Sequence, residues 1–428
     1  MRLGRFLFMV KKIILPNGTT VLFCPLHETE AVTVLVLVKV GSRYEMKEAS
    51  GVSHFIEHLM FKGTARRPSS LALTKELDRV GAEFNAYTSK DHTGYYIKAV
   101  KEQLPLALDI LSDMLHHSLF KLEEINRERG VIIEEIKMYE DNPVMSLGDV
   151  FDQGLYGDHP LGRFIAGTIP IIGAVSREKV LQYRDQHYHP DRITMAIAGN
   201  FSQGNALRLV KKYFGRRGPN GERHEFLSAP RAVRTGVHCK YKDTKQVHLA
   251  MGTRAYHWGH PDHEAATLLS IILGGTMSSR LFTSVRERKG LCYYIRAGLS
   301  TFEDTGDFAV SAGVDLARVE LALKTIQGEL EKARRRGVTA EELTRAKEYL
   351  RGKVVLDLED SESIADWYGK QHLFQGSLKT PEERLKKYMR VNLADVARVA
   401  KALLDTRQYA LAMIGPYKDA GKFEKIMR

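Results

Sequence analysis

The second half of this chain repeats the first. At a shift of 212 residues, SHFIEHLMFKGT (53–64) lies over AATLLSIILGGT (265–276), and Asp91-His92-Thr93-Gly94-Tyr95 over Glu303-Asp304-Thr305-Gly306-Asp307. Further on, FKLEEINRERG (120–130) matches VTAEELTRAKE (338–348) at a shift of 218, and Ile193–Gly199 matches Tyr409–Gly415 at 216. Anchors in one order with slowly drifting offsets require a structure built twice. Within each copy, alternating hairpin strands such as Ala82–Thr88 and Tyr95–Val100 mix with amphipathic helices such as Leu104–Leu115 and Ala317–Leu330. The order is not a strict βαβα alternation. Each copy is therefore expected to be α+β: two tandem homologous domains, each a mainly antiparallel sheet with helices packed on one face. The polar, Gly/Pro/Arg-rich segment GRRGPNGERHEFLSAPRAV (215–233) reads as a connection. The expected division is 1–217, a linker at 218–235, and 236–428.

Composition narrows the function. Of 428 residues, 43% are hydrophobic and 27% charged, which excludes a disordered or collagen-like chain. No apolar run approaches the roughly 18–20 residues of a membrane-spanning helix, so no membrane partner is expected. The N-terminal MRLGRFLFMVKK has only five apolar residues in a row, short of a secretory core of about 7–15, and a cytoplasmic location is expected. The net charge of +12 comes from short basic helical faces without interleaved aromatics, so a nucleic-acid partner is not expected. Cys24, Cys239 and Cys292 are too scattered for a disulfide framework or a cysteine zinc site.

The chemistry concentrates in Gly51-Val52-Ser53-His54-Phe55-Ile56-Glu57-His58-Leu59-Met60. Ser53 can cap a helix here and Gly63 can end it. On such a helix His54 and His58 lie about 40° apart around the axis, and Glu57 shares their face. Two imidazoles so placed make a strong first half of a zinc site, at ligand distances of roughly 2.0–2.1 Å. With 16 histidines in 428 residues, this His pair with Glu between is expected only about 0.04 times by chance. A third ligand should come from the acidic helix at 123–138, made amphipathic by Val131, Ile132 and Ile136. Glu128 and Glu135 fall about 20° apart on one face of it, but spacing alone does not choose between Glu134 and Glu135. The duplication is an internal control. Copy two has Ala266, Leu269 and Ser270 where copy one has His54, Glu57 and His58, and Ala346 and Lys353 opposite Glu128 and Glu135.

SHFIEHLMFKGT together with ERGVIIEEIKMYEDNP closely resembles the pitrilysin and mitochondrial processing peptidase family of zinc metallopeptidases, the inverzincins, with their inverted H-x-x-E-H motif. The likeness runs from Leu15-Pro16-Asn17-Gly18 to the closing strand and fits the half-size, bacterial-type branch. It implies a zinc metalloendopeptidase with one zinc ion per chain, held by His54, His58 and Glu135, with Glu128 as helper of Glu135 and Glu57 as general base. It also implies that the edge of the strand within 81–89, at Asn85 and Ala86, binds an extended peptide by strand addition. In copy two, Arg286 and Tyr293, seven residues apart, resemble the family's Arg/Tyr pair that donates to the substrate backbone, with Tyr294 as nearby competitor. The implied substrates are unfolded peptides or presequence-like segments, cleaved in an enclosed chamber. The implied assembly is a homodimer, or a heterodimer with a related chain. The competing expectation is a non-catalytic peptide-binding or partner subunit of the same fold.

Overall fold

The computed structural model describes residues 10–215, 225–230 and 232–427. The N-terminal residues 1–9, linker residues 218–224 and Arg231 lie outside these.

The first sheet contains β1 (Lys11–Ile14), β2 (Thr20–Pro25), β3 (Ala31–Val38), β4 (Glu83–Thr88), β5 (Thr93–Val100) and β6 (Ile193–Gly199), ordered β1-β2-β6-β3-β5-β4. Only the β2–β6 pair is parallel; β3 runs antiparallel to both β6 and β5, with Leu35 opposite Ala196 and Tyr96. The second sheet contains β7 (Gly236–Tyr241), β8 (Gln246–Ala255), β9 (Cys292–Thr301), β10 (Gly306–Asp315) and β11 (Ala410–Gly415), ordered β7-β11-β8-β10-β9. Again only one pair, β7–β11, is parallel. The two sheets repeat one plan, as the duplication requires, and each ends in an antiparallel hairpin, β5–β4 or β10–β9.

Why β3 is apolar at almost every position follows from its two neighbours. Val32, Val34, Val36 and Val38 join the core beneath helices Val52–Met60 and Leu104–His117. The alternate face, with Thr33, Leu35 and Leu37, is also buried. There the helix Ser361–Gln375 lies across the sheet. Its Ser361 hydroxyl meets Thr33 Oγ1 at 2.8 Å, and its Gly369 sits so close that a Cβ would come within 2.8 Å of Leu37 Cδ1. A strand covered on both faces has no reason to alternate. The second sheet shows the same arrangement with a helix from the other direction in sequence. Leu147, Phe151 and Leu155, four apart on the helix Pro143–Tyr156, pack on Ala250, Ala412 and Ile414. The main helical layer thus covers one face of each sheet, and a single helix borrowed from the opposite half of the sequence covers the other. One compact unit accordingly comprises Met1–Ile136, Phe164–Leu227 and Lys353–Glu382; the second comprises Lys137–Arg163, Ser228–Gly352 and Glu383–Arg428.

Candidate metal centre

The helix carrying the motif runs Val52–Met60 and begins differently from the sequence expectation. Gly51 is the capping residue, while Ser53 is already the second helical residue, wholly buried, with its hydroxyl 2.9 Å from the Tyr183 hydroxyl. The helix stops at Met60, before Gly63, because Leu59 and Met60 are the last residues of its buried face. Val52, Phe55, Ile56, Leu59 and Met60 anchor it in the core, so His54, Glu57 and His58 share the remaining face.

The acidic helix spans Leu122–Asp141 and buries Ile125, Glu128, Ile132 and Ile136. Val131, expected in its apolar stripe, is 47% exposed instead. At 100° per residue it lies about 100–140° around the axis from Ile125, Ile132 and Ile136, beyond Glu135 and outside the buried stripe.

These two helices bring the candidate ligands together. His54 Nε2 lies 3.7 Å and His58 Nε2 3.5 Å from Glu135 Oε2, and the three ligand atoms fall within 4.8 Å of one another. Metal–ligand bonds of roughly 2.0–2.2 Å would place neighbouring ligand atoms about 3.3–3.6 Å apart in a tetrahedron, so the residues fit a zinc ion. Among the described residues no other group of His, Cys, Asp and Glu converges in this way. Glu134 is not part of the convergent set.

The surroundings orient the ligands. Glu128, 2% exposed, lies with Oε2 3.2 Å from His58 Nδ1 and takes an ion pair from Lys62 Nζ at 2.9 Å on its other oxygen. An imidazole held at Nδ1 is left with Nε2 facing Glu135. Burial opposes charge on Glu128, but His58 and Lys62 hold its carboxyl below the usual range. Burial also opposes charge on His58, yet Glu128 and Glu135 overcome it and hold the ring's pKa up, whereas burial and the adjacent His58 push His54 down. The two imidazoles are thus driven in opposite directions: protonation is favoured on His58 and disfavoured on His54. Glu57 is tied elsewhere: Thr88 Oγ1, at the end of β4, donates to Glu57 Oε2 at 2.5 Å. Burial raises the Glu57 carboxyl, with the Thr88 bond acting against it. A carboxylate with raised proton affinity, outside the ligand set, suits a general base.

Asn85 and Ala86 sit on β4, the edge strand of the first sheet, opposite Tyr96 and Tyr95. Asn85 is exposed, and its Oδ1 accepts the Ala86 N–H at 2.9 Å. In the second unit, Arg286 lies in a wide helical turn at Phe282–Glu287 and Tyr293 at the start of β9. The Arg286 guanidinium stands 4.6 Å over the Phe282 ring and 5.6 Å over that of Tyr293, so this pair is adjacent. Tyr293 is 75% exposed, while Tyr294 is engaged by His248 Nδ1 at 3.1 Å. Sequence reasoning missed Lys62 and Thr88. Lys62 carried a signal, one turn after His58; Thr88 carried none, because its contact joins a strand end to a helix.

The chain is similar to known proteins along nearly its whole length. The family described as "Insulinase (Peptidase family M16)" matches residues 21–169, and that described as "Peptidase M16 inactive domain" matches 174–350. A Bacillus subtilis protein named "Uncharacterized zinc protease YmxG" is 36% identical over 413 residues, covering 95% of this chain and 98% of its own. A Rickettsia felis protein named "Uncharacterized zinc protease" is 33% identical over 403 residues, covering 94% and 96%. Among solved structures, a Helicobacter pylori protease superposes with a TM-score of 0.90 at 25% identity, covering 95% of this chain and 99% of that one. A Pseudomonas fluorescens structure described as a peptidase M16 inactive domain shares the fold, with a TM-score of 0.89 at 19% identity and coverage of 95% and 98%. With relatives this similar along nearly its whole length, the chain is a member of the M16 peptidase family.

Proposed function

We propose that this chain is a zinc metalloendopeptidase acting on extended, unfolded peptides or presequence-like segments. The convergence of His54, His58 and Glu135 on one point, with Glu57 beside them and outside the set, carries the reading. His54 Nε2, His58 Nε2 and a Glu135 oxygen would hold the zinc, which when bound lowers the pKa of a coordinated water and polarises a substrate carbonyl. Glu128 fixes the His58 ring. Glu57 accepts the proton from water and passes it to the departing amine, a task worth typically 10²–10⁴-fold. Thr88 ties that base to β4, the strand whose outer edge, at Asn85 and Ala86, would seat the peptide. We assign Arg286 and Tyr293 as donors to the substrate backbone, with Tyr293 favoured over Tyr294 because His248 occupies the latter. An enclosed chamber and a homodimer complete the proposal, with a related chain as the alternative partner.

The test is zinc content and cleavage of a quenched peptide by the purified chain and by Glu57→Gln. One zinc per chain in both proteins is expected, with the variant's kcat down by about 10² or more. A zinc-loaded wild type that cleaves nothing, alone or with a related chain, would establish the non-catalytic subunit instead.

A further inference from the structure

Glu45 precedes the metal-site motif and is 3% exposed. The Gly51 N–H donates to its Oε2 at 2.7 Å, and the Ser53 N–H donates to its Oε1 at 2.8 Å. These are amides of the first turn of helix Val52–Met60, where no intrahelical acceptor exists. The helix cannot cap itself. Its capping residue is Gly51, at φ +96° and without a side chain, and the Ser53 hydroxyl is turned to Tyr183. One buried carboxyl from upstream performs the capping; burial pushes it up to about 7, and the bonds from Gly51 and Ser53 and the charge of Lys90 act against that rise.

Two bonds to two amides fix more than the helix end; they fix its rotation about its own axis. Imidazole nitrogens lie about 5–6 Å from a helix axis, so a roll of about 10° displaces them by about 1 Å. Metal–ligand distances tolerate about 0.2 Å. The duplicated half provides the contrast. At the 212-residue shift Glu45 corresponds to His257, whose Nδ1 lies 2.7 Å from Trp258 O, and at the start of the corresponding helix His263–Ser270 the Asp262 N–H donates to His260 Nδ1 at 3.0 Å. Among the described residues a carboxylate holds two amides at the start of the helix with His54 and His58, where its counterpart has one imidazole on one amide.

We propose that Glu45 is a positioning residue that sets the rotation of the site helix so that His54 and His58 both face Glu135. This rests on the zinc reading above. The experiment compares wild type, Glu45→Gln, Glu45→Asp and, as a control at the same helix start, Tyr183→Phe. Each is measured for thermal midpoint, for zinc affinity by chelator competition, and for kcat and KM at saturating zinc. In a folded Glu45→Gln chain, zinc affinity should fall about 10–100-fold. Its kcat should fall about 10-fold with KM within about twofold, and Glu45→Asp should shift in the same direction. Tyr183→Phe, which leaves both Glu45 bonds in place, should keep wild-type zinc affinity. Wild-type zinc affinity and kcat in whichever Glu45 variant folds would overturn the proposal. Failure of both to fold would overturn it too, making Glu45 a folding residue. A wild type that neither binds zinc nor cleaves peptide defeats the zinc reading itself, an outcome distinct from either.

Discussion

The helices Leu122–Asp141 and Ala340–Asp357 occupy corresponding places in the duplicated chain, yet they are fastened by different chemistry. In the first, Glu128 is buried between His58 and Lys62, and Glu135 faces both imidazoles. In the second, the positions of Glu128 and Glu135 are Ala346, which is buried, and Lys353, whose ion pair to Asp357 stays within its own helix. That helix is held instead by Arg280, which donates to both oxygens of Glu342 at 2.6 Å, and by Lys347, which donates to the carbonyls of Met389 and Val391. Every one of its charges is answered within a structural contact. In the first helix Glu128 and Glu135 turn instead to the two imidazoles of helix Val52–Met60. Ionic contacts hold the helix at this place in both copies; in the first they lie beside the convergent group of His54, His58 and Glu135.

The contrast breaks most sharply at Glu135. Glu135→Gln should lose stoichiometric zinc and with it essentially all cleavage, while Glu134→Gln should keep both, as read by elemental analysis and a quenched peptide. Loss of zinc on substituting Glu134 alone would move the ligand by one residue. Glu128→Gln comes next: the His58 ring loses its anchor, and zinc affinity in chelator competition should fall about 10–100-fold with the chain still folded. Smallest is Glu342→Gln, in the metal-free copy. Bonding to Arg280 lowers the Glu342 carboxyl to about 2 in the folded chain. A carboxyl depressed on folding stabilises fully above its unfolded value of about 4.3, and that contribution is lost as pH falls through the folded value. The variant should therefore cost about 1 kcal/mol near neutral pH, discounted for solvent at the pair, and the difference from wild type should vanish towards pH 2. Zinc affinity and kcat of the folded variant should be unchanged. A metal deficit there would mean that the two copies share their chemistry after all.

Much of this was legible because it is written in helical periodicity. His54, Glu57 and His58 share a face by spacing alone, as do Glu128 and Glu135, and the repeat shows which copy carries them. The mainly antiparallel sheets follow from the hairpin strands and the lack of a strict βαβα alternation. Contacts between elements left no such trace. Glu45 reaches a helix that starts several residues later through a loop, and Thr88 reaches Glu57 from the end of a strand. Val131 was placed with the isoleucines because an apolar residue beside Ile132 suggests core, whereas it lies beyond Glu135 and outside the buried stripe. The helices Pro143–Tyr156 and Ser361–Gln375 left no trace in the sequence of which sheet receives them.

That exchange of helices has a consequence for how the protein comes into being. The sheet that supports the metal centre keeps the Thr33 and Leu37 side of β3 uncovered until Ser361–Gln375 has been made. When residue 217 leaves the ribosome, about 160 residues remain before that helix is complete, roughly 8–30 s of synthesis at about 5–20 residues per second. During this interval the first sheet exposes an apolar strand face, and the contact that closes it spans 328 residues between Thr33 and Ser361. The residues of the convergent group are thus encoded first, on a sheet whose second face is covered last. A nascent or truncated chain that stops short of residue 361 carries the whole H-x-x-E-H motif on a sheet with one face bare.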